Sequence, residues 1–294
     1  MVKRFFGHIC LILATVLILC SLGVYAADTP DNKVGLEIKF DYDKYVVGET
    51  AEATIKLTGL NDEKAAKYSL SAFQTQLEFN TDELEAVSMD FSEPLKSKIG
   101  TAEKYFNVTS KHSDIIAVLY AVDDGIALDD TIAPNGEITI GTINFEIKKT
   151  SGDISVGFET TSYKTEIIRP FEDSPEGYLL ECNSYTGASA NIVKYGAIIS
   201  QGARISENKI TDSVKVSVEE QYKKPMLIAR LYDNSGLTKN TKVFTLDNIG
   251  GKVSFTENIE FSVSGLANPK IEYFLWEGFS SMKPICDSVP VKIN

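Results

Sequence analysis

Side chains that commonly carry out catalysis are scarce in this 294-residue chain, apart from its acidic residues. The two histidines are His8 and His112, and only His112 lies outside the first 26 residues. Catalytic triads and zinc centres built on histidine need such groups in combination, so a single histidine is close to excluding both. The sequence also has neither a Walker-type phosphate loop nor the Gly-x-Ser-x-Gly turn of a nucleophilic serine.

Carboxylates are abundant, with 41 Asp and Glu residues. A pair of them could act as the acid and the nucleophile of a glycosidase, and counting residues does not exclude this. Acidic residues spread over polar positions are, however, typical of a solvated surface. We therefore predict that the protein is not an enzyme.

Two acidic clusters could bind a cation. Asp123-Asp124-Gly125 and Asp129-Asp130 bring several oxygen ligands into one loop, and Asp41 with Asp43 does so nearer the amino terminus. Calcium is bound by such oxygens, but neither cluster has the spacing of an EF-hand loop. The sequence predicts no cofactor, with a structural calcium ion as the alternative to solvated acidic loops.

The first 26 residues have the pattern of a secretory signal peptide. Basic Lys3 and Arg4 precede an apolar run from Ile9 to Leu19, and small residues around Ala26 provide a cleavage site. The apolar run is shorter than the ~20 residues that cross a bilayer core. We predict a secreted, extracellular protein, released or held at the bacterial cell surface, with no membrane segment after cleavage.

The net charge narrows the range of partners, and the cysteine spacing bears on disulfide bonds. The net charge is −12, and removal of Lys3 and Arg4 with the signal peptide would make it −14. Nucleic acids require a basic surface, so we predict no nucleic-acid partner. Cys182 and Cys286 lie about a hundred residues apart, which predicts two free thiols and no disulfide framework.

Alternation of apolar and polar residues, the pattern of a strand with one buried face, recurs along the chain. It is clear in residues 51–57 and 73–79, and again in residues 143–147. Ile138 and Ile140 are out of phase with residues 143–147, which predicts a bulge or a change of sheet at Gly141. Turn residues separate these runs at short intervals, so we predict two packed antiparallel sheets.

A second group of alternating runs begins near residue 205 and continues to the end of the chain. Trp276 lies in one of these runs, and we expect it in a core. We therefore predict an all-β protein with three parts. These are a signal peptide (residues 1–26), a β-sandwich (33–198) and a small immunoglobulin-like β-sandwich (205–294).

Four segments of the first sandwich resemble a cohesin module: residues 35–50, 72–87, 114–123 and 136–148. They match, in order, the family's first strands with a glycine turn, a strand followed by a Leu-Glu-Val signature, an apolar central strand, and a later pair of strands. The resemblance implies a nine-stranded, jelly-roll-like sandwich, a fold that cohesins share with carbohydrate-binding modules. Residues 61–68 and 168–183 form longer loops than the family pattern.

The resemblance also implies a partner-binding surface. In cohesins, the positions matched by Ala72 and Gln74 lie on the sheet that contacts the dockerin partner. With Phe73 and its alternating neighbours pointing inward, Gln76 joins the same outer strip, and the central strand adds further positions if it is oriented as in the family. The expected partner-binding residues are Ala72, Gln74, Gln76, Leu119, Ala121 and Asp123.

The last ninety residues resemble a module at the ends of secreted and surface proteins of clostridia-like bacteria, through residues 229–234 and 274–285. We favour a non-catalytic binding protein whose cohesin-like module docks dockerin-bearing or other extracellular partners in polysaccharide degradation. The alternative is a carbohydrate-binding module that binds polysaccharide directly through exposed aromatic rings. A third hypothesis is a structural protein of the cell surface, whose modules serve only as spacers or packing units. Candidate rings for the alternative are Tyr105, Tyr120, Tyr163, Tyr178, Tyr185 and Tyr195.

Overall fold

The computed structural model describes residues 34–60, 69–99, 104–108, 115–127, 133–160, 166–171, 174–182, 184–247 and 254–293. The predicted signal peptide lies outside these residues. Strands dominate the described residues, which confirms the all-β prediction. Within the part of the chain that the structure describes, no helix has the length and hydrophobicity needed to cross a bilayer.

The strands fall into two groups. The first group contains β1 (Gly35–Phe40), β2 (Lys44–Val46), β3 (Thr50–Thr58), β4 (Ser69–Phe79), β5 (Leu84–Phe91), helix α1 (Glu93–Ile99), β6 (Lys104–Val108), β7 (Ile115–Ala127), β8 (Ile138–Ile147), β9 (Gly152–Phe158), β10 (Glu166–Phe171), β11 (Ser174–Glu181), β12 (Ser184–Thr186) and β13 (Ala188–Val193). The second contains β14 (Gly196–Ser200), β15 (Arg204–Ser206), β16 (Lys209–Val218), β17 (Met226–Tyr232), β18 (Thr238–Thr245), β19 (Ser254–Ser262), β20 (Lys270–Trp276) and β21 (Val289–Val291).

The first group forms two sheets around one core. Sheet 1 has five strands in the order β12-β1-β3-β8-β5. Sheet 2 has eight, and β4 is central in it: β7 and then β6 pair along one edge, while β10 and β9 share the other. On the outer side of these two strands, β11 pairs with β10, and β13 pairs with β9 and in turn with β2. The described strands thus outnumber the nine implied by the resemblance, partly because the chain changes sheet between β1, β2 and β3 and again between β12 and β13.

The phase shift predicted at Gly141 is a β-bulge. Along β8, Gly141 pairs with Ile55 and Thr139 pairs with Lys56, so Ile140 is the extra residue. Ile138 and Ile140 are therefore buried together with the oppositely phased Ile143. Gly141 also lies against β5, where a Cβ atom would come within 2.5 Å of the Asp90 carbonyl oxygen. Only glycine allows β5 to approach β8 so closely.

The long loop expected at residues 168–183 is wrong for most of its length. Residues 166–181 form the hairpin β10–β11, which pairs with β4 along residues 72–74. Pro170 falls where the register of the hairpin shifts, a position at which a strand tolerates a residue without an amide hydrogen.

The second group forms another sandwich with its own core. In one sheet β16 pairs with β14, β15 and β19, and the other sheet has the order β18-β17-β20-β21. Their inner faces enclose an apolar cluster that includes Val214, Leu227, Phe261 and Tyr273. This cluster is separate from the one inside the first sandwich. The domain boundaries given above remain a prediction.

A buried ion pair connects the two sandwiches. Lys215 on β16 and Glu49 before β3 are 5% and 4% exposed, and Lys215 Nζ lies 3.1 Å from Glu49 Oε1. Ser217 Oγ donates to the same oxygen at 2.8 Å, and the Val46 amide donates to Glu49 Oε2 at 2.6 Å. Both carboxylate oxygens are thus hydrogen-bonded, which offsets the loss of their water. We call Glu49, Lys215 and Ser217 the junction cluster.

Two tyrosine rings complete the surroundings of Lys215. Its Nζ lies 3.7 Å from the ring centroid of Tyr42 and 4.9 Å from that of Tyr45, distances at which the aromatic faces attract a cation. Tyr45 donates its hydroxyl hydrogen to Asp41. Burial raises the pKa of Tyr45 above its usual value, so the ring stays neutral beside the lysine.

Candidate partner-binding surface

The proposed contact strip lies on the central strand of sheet 2, and its orientation follows from alternation. The inward side chains are Phe73, Thr75, Leu77 and Phe79, all of them buried. On the outer side, Gln74 and Gln76 are half-buried and Glu78 is exposed. Alternation thus predicted the inner face of β4 correctly, and it turns the two glutamines toward the outer surface.

The backbone register brings four of the six expected residues together. Ala72 lies opposite Ala121, and Gln74 lies opposite Leu119. Directly opposed residues in antiparallel strands are the closest cross-strand neighbours. The side chains of Ala72, Leu119, Ala121 and Asp123 lie outside the described residues, so for these four the backbone positions are the finding.

Asp123 is not part of this ladder. Ala121 pairs with Ala72 and Ile126 pairs with Leu70, so β7 has four residues, 122–125, where β4 has only Ser71. Asp123 lies within this bulge. Asp123 is only two residues from Ala121, but no residue of β4 is paired with it.

Sequence reasoning missed the extension of the outer face onto β9 and β13. Gly157 pairs with Glu78, and Ser155 pairs with Ser189. Both serines are exposed, and a Cβ atom added to Gly157 would meet nothing within 4 Å. The alternation of Ile154 and Val156 with these residues was the signal that could have found them. Beside the glutamines, the outer face of sheet 2 therefore continues as a row of small residues.

At the far end of this row, Asn191 on β13 lies opposite Asp153 on β9 and donates an amide hydrogen to its carboxylate at 2.9 Å. Lys149 donates to the Asp153 carbonyl oxygen at 2.6 Å. The polar end of the face is thus held by its own hydrogen bonds. We call Gln74, Gln76, Ser155, Gly157 and Ser189 the amide–serine face.

The outer surface of sheet 1 has a different character. Several of its polar side chains form pairs with one another: Lys56 with Glu137 (3.6 Å), Lys148 with Glu85 (2.7 Å) and Asn144 with Ser88 (3.0 Å). A docking partner would have to remove water from these charges and separate them. Such a face is typical of a solvated exterior.

Of the two acidic clusters that could bind a cation, the structure describes the side chain of Asp41 but not those of the other cluster. Asp41 accepts hydrogen bonds from Tyr45 and from the Glu52 amide, so its carboxylate is already used inside the fold. Asp129 and Asp130 lie outside the described residues, as do the side chains of Asp123 and Asp124. Among the side chains that the structure does describe, no group of three acidic, cysteine or histidine residues is arranged to hold a metal ion.

Cys182 and Cys286 are both free thiols, as their spacing predicted. Burial raises the pKa of Cys182 to about 12 and that of Cys286 to about 11, so neither is a reactive thiolate at neutral pH. His112, the other candidate for chemistry, lies outside the described residues.

The comparisons with solved structures cover a part of the chain about as long as the first sandwich. Structures similar to it include the cohesin of a type I cohesin–dockerin complex from Clostridium thermocellum, with 12% identity and a TM-score of 0.38 over 54% of this chain and 95% of that one. A cohesin module of a family 33 glycoside hydrolase from Clostridium perfringens has 12% identity and a TM-score of 0.40 over 55% and 98%. A type II cohesin domain from the cellulosome of Acetivibrio cellulolyticus has 18% identity and a TM-score of 0.39 over 54% and 95%.

Further similar structures are also cohesins or complexes that contain one. No model of a known protein family matches this sequence, and no curated protein is significantly similar to it. At such low identity these neighbours do not assign a binding partner.

Proposed function

We propose that the first sandwich is a non-catalytic docking module that binds a dockerin-type or other extracellular protein through the amide–serine face. The observation that carries this proposal is the contrast between its two outer surfaces. Sheet 1 presents several charges paired with one another, whereas the described part of sheet 2 presents amides, serines and a glycine beside the exposed carboxylate of Glu78.

The amide–serine face can lose its water at low cost. Gln74 and Gln76 are uncharged, and each side-chain amide can both donate and accept a hydrogen bond to a partner. The neighbouring surface has only short side chains, at Ser155 and Ser189, and none at Gly157. A helix or a strand of a partner can therefore approach the sheet closely. Charged groups are typically depleted in the centre of a protein interface, and the composition of this face agrees with that.

The setting that we propose is extracellular. It rests on the basic and apolar pattern of residues 1–26 and on the acidic composition of the rest of the chain. A partner captured there would be another secreted or surface protein, and a role in polysaccharide degradation is part of this proposal.

The test is a binding measurement with the full-length protein. Purified dockerin modules of type I and type II, and then secreted proteins of the source organism, would be passed over the immobilised chain. Gln74→Arg and Gln76→Arg each add a bulky charge to the amide–serine face, and we expect each to weaken binding at least tenfold, which is about 1.4 kcal/mol.

Thr54→Arg is the matched control. Thr54 is a half-buried, uncharged residue on the outer surface of sheet 1, where its hydroxyl lies 3.4 Å from that of Thr142. This variant adds the same charge to the other face and should leave binding unchanged. Equal losses in all three variants, or no loss in the two glutamine variants, would show that the partner binds elsewhere.

A further inference from the structure

A groove with aromatic walls lies where the first sandwich leads into the second, away from the amide–serine face. Its volume is about 670 Å³, within the range of roughly 300–1,000 Å³ that is usual for small-molecule sites. One side is the segment between β13 and β14, which carries Tyr195, and the other side is the end of β20 with the loop that follows it.

The aromatic rings of this groove are held in place and accessible. Phe274 and Trp276 alternate along β20 with the buried Tyr273 and Leu275, so they lie on the outer face of the sheet and are half-buried. The expectation that Trp276 lies in a core is therefore wrong. They are two residues apart, or about 7 Å along the strand. Tyr195 is 44% exposed, although the Nζ atom of its neighbour Lys194 lies 5.0 Å from the ring centroid.

The backbone around the groove is tightly fixed. The Ile285 amide donates to the Leu275 carbonyl at 2.8 Å, and Trp276 forms a bridge with Pro284, so the loop stays beside β20. On the other side a Cβ atom at Gly196 would come within 2.8 Å of Ile285. The two walls are thus packed against each other at the base of the groove. The site is preformed, which lowers the entropic cost of binding a ligand.

The polar groups of the groove favour an uncharged ligand with many hydroxyl groups. Lys194 and Asp287 both line it, so a ligand with a strong charge of either sign would meet a repelling group. Ser288, which donates to Glu272 at 2.8 Å, adds a hydroxyl that can accept a hydrogen bond. The aromatic rings can stack on the carbon–hydrogen faces of a sugar ring. The side chains that donate or accept hydrogen bonds can bind its hydroxyl groups.

We propose that this groove binds a neutral oligosaccharide, with Tyr195 and Trp276 as the stacking rings and with Lys194, Asp287 and Ser288 as hydrogen-bonding groups. The proposal is independent of partner docking, because none of these residues belongs to the amide–serine face. It assigns the second sandwich and the connecting segment a role in binding, whatever the first sandwich docks.

The experiment uses the fluorescence of Trp276, which is the single tryptophan of the chain and therefore reports on the groove alone. The full-length protein would be titrated with cellohexaose, xylohexaose and mannohexaose. At least one of these sugars should shift or quench the emission in a saturable way. Tyr195→Ala removes one of the two stacking rings and should weaken that binding about tenfold, which is roughly 1.4 kcal/mol.

Tyr185→Ala is the matched control, because Tyr185 is also an exposed tyrosine but lies on β12 of the first sandwich. It should leave the titration unchanged, and unfolding midpoints of both variants would show that they fold. The absence of a Trp276 response to all three sugars would overturn the proposal, as would equal affinity in Tyr195→Ala. A saturable response to a proline-rich peptide instead of the sugars would also overturn it, because aromatic grooves of this kind bind such peptides too.

Discussion

The strands β4 and β16 have the same sequence pattern but opposite surroundings. Each strand alternates mainly apolar residues, which point into its own sandwich, with polar residues on the other face; Thr75 of β4 and Asp212 of β16 are the buried polar exceptions. In β4 these polar residues, Gln74 and Gln76, are half-buried on the outer face of sheet 2. In β16 they include Lys215 and Ser217, which the first sandwich covers almost completely.

This comparison shows that alternation identifies the inner face of a strand. Alternation does not show whether the outer face is open to solvent or covered by another part of the protein. The outer face of β16 is also an example of how this protein buries a polar surface. The charge of Lys215 is paired with Glu49, and Ser217 and Val46 satisfy the carboxylate oxygens. A partner that covers the amide–serine face would have to satisfy Gln74 and Gln76 in a similar way, because an unsatisfied buried amide costs about 1–3 kcal/mol.

The largest expected effect comes from breaking the junction cluster. Lys215→Met removes one charge and leaves Glu49 buried and uncompensated, so we expect the free energy of unfolding to fall by about 3–5 kcal/mol. Denaturant unfolding, followed by the signal of Trp276 in the second sandwich, would measure the loss. A loss below 1 kcal/mol would mean that water reaches Glu49 and that the contact between the sandwiches is loose.

The double variant Glu49→Gln with Lys215→Met sharpens this test. A glutamine at position 49 carries no charge. Its carbonyl oxygen can accept from the Val46 amide, and its NH2 group can donate to the Ser217 hydroxyl oxygen. The double variant should therefore be more stable than Lys215→Met alone, which is the sign of strong coupling between two residues in contact. Additive losses would indicate that the two charges act independently.

Much of the fold could be predicted from local patterns, and the junction cluster could not. The alternation at residues 73–79 and the phase shift at Gly141 depend on neighbours along the chain, so they are visible in the sequence. The burial of Lys215 depends on Glu49, which is distant in sequence, and lysine in a strand usually indicates a solvated face. The hairpin β10–β11 is difficult to predict, because Pro170 and Gly177 interrupt its strand pattern, although edge strands and bulges tolerate such residues.

The candidate site was predictable in part for the same reason. The outward position of Gln74 and Gln76 follows from period-two alternation. Asp123 is expected in the strip only from the resemblance, and the Asp123-Asp124-Gly125 turn signal is the local feature that coincides with the bulge of β7. Ser155, Gly157 and Ser189 were missed because β9 and β13 reach β4 only through sheet pairing. Strand order in a sheet of this size is set by contacts between distant segments, and those have no local signature.

A surface ion pair offers a smaller test of the contrast between buried and open faces. Lys148 and Glu85 lie 2.7 Å apart on the outer surface of sheet 1, but both are about half exposed. Lys148→Ala should cost only about 0.2–1 kcal/mol. Thermal unfolding at low and at high salt would check this, because salt should remove most of the difference. A loss as large as that of Lys215→Met would contradict the contrast.

The open face of β4 should tolerate changes that the covered face of β16 does not. Gln76→Lys places on β4 the residue type found at position 215, but water reaches this position. We expect the free energy of unfolding to change by no more than about 0.5 kcal/mol. A loss of several kcal/mol would mean that another part of the chain covers Gln76, and the amide–serine face would then not be available to a partner.

The smallest effect concerns an acidic residue that is paired in a turn and not at an interface. Lys239, at 2.8 Å, and Ser235 hydrogen-bond Asp233 between β17 and β18, and they lower its pKa to about 2. Because the folded pKa lies below the usual value of 3.8, this contribution to stability is present above pH 4 and is lost as the pH falls toward 2. Asp233→Asn should therefore be less stable than the native protein at pH 7, and the difference should shrink between pH 4 and pH 2. Unfolding midpoints of both proteins across this range would measure it, and a difference independent of pH would mean that Asp233 acts only through its shape.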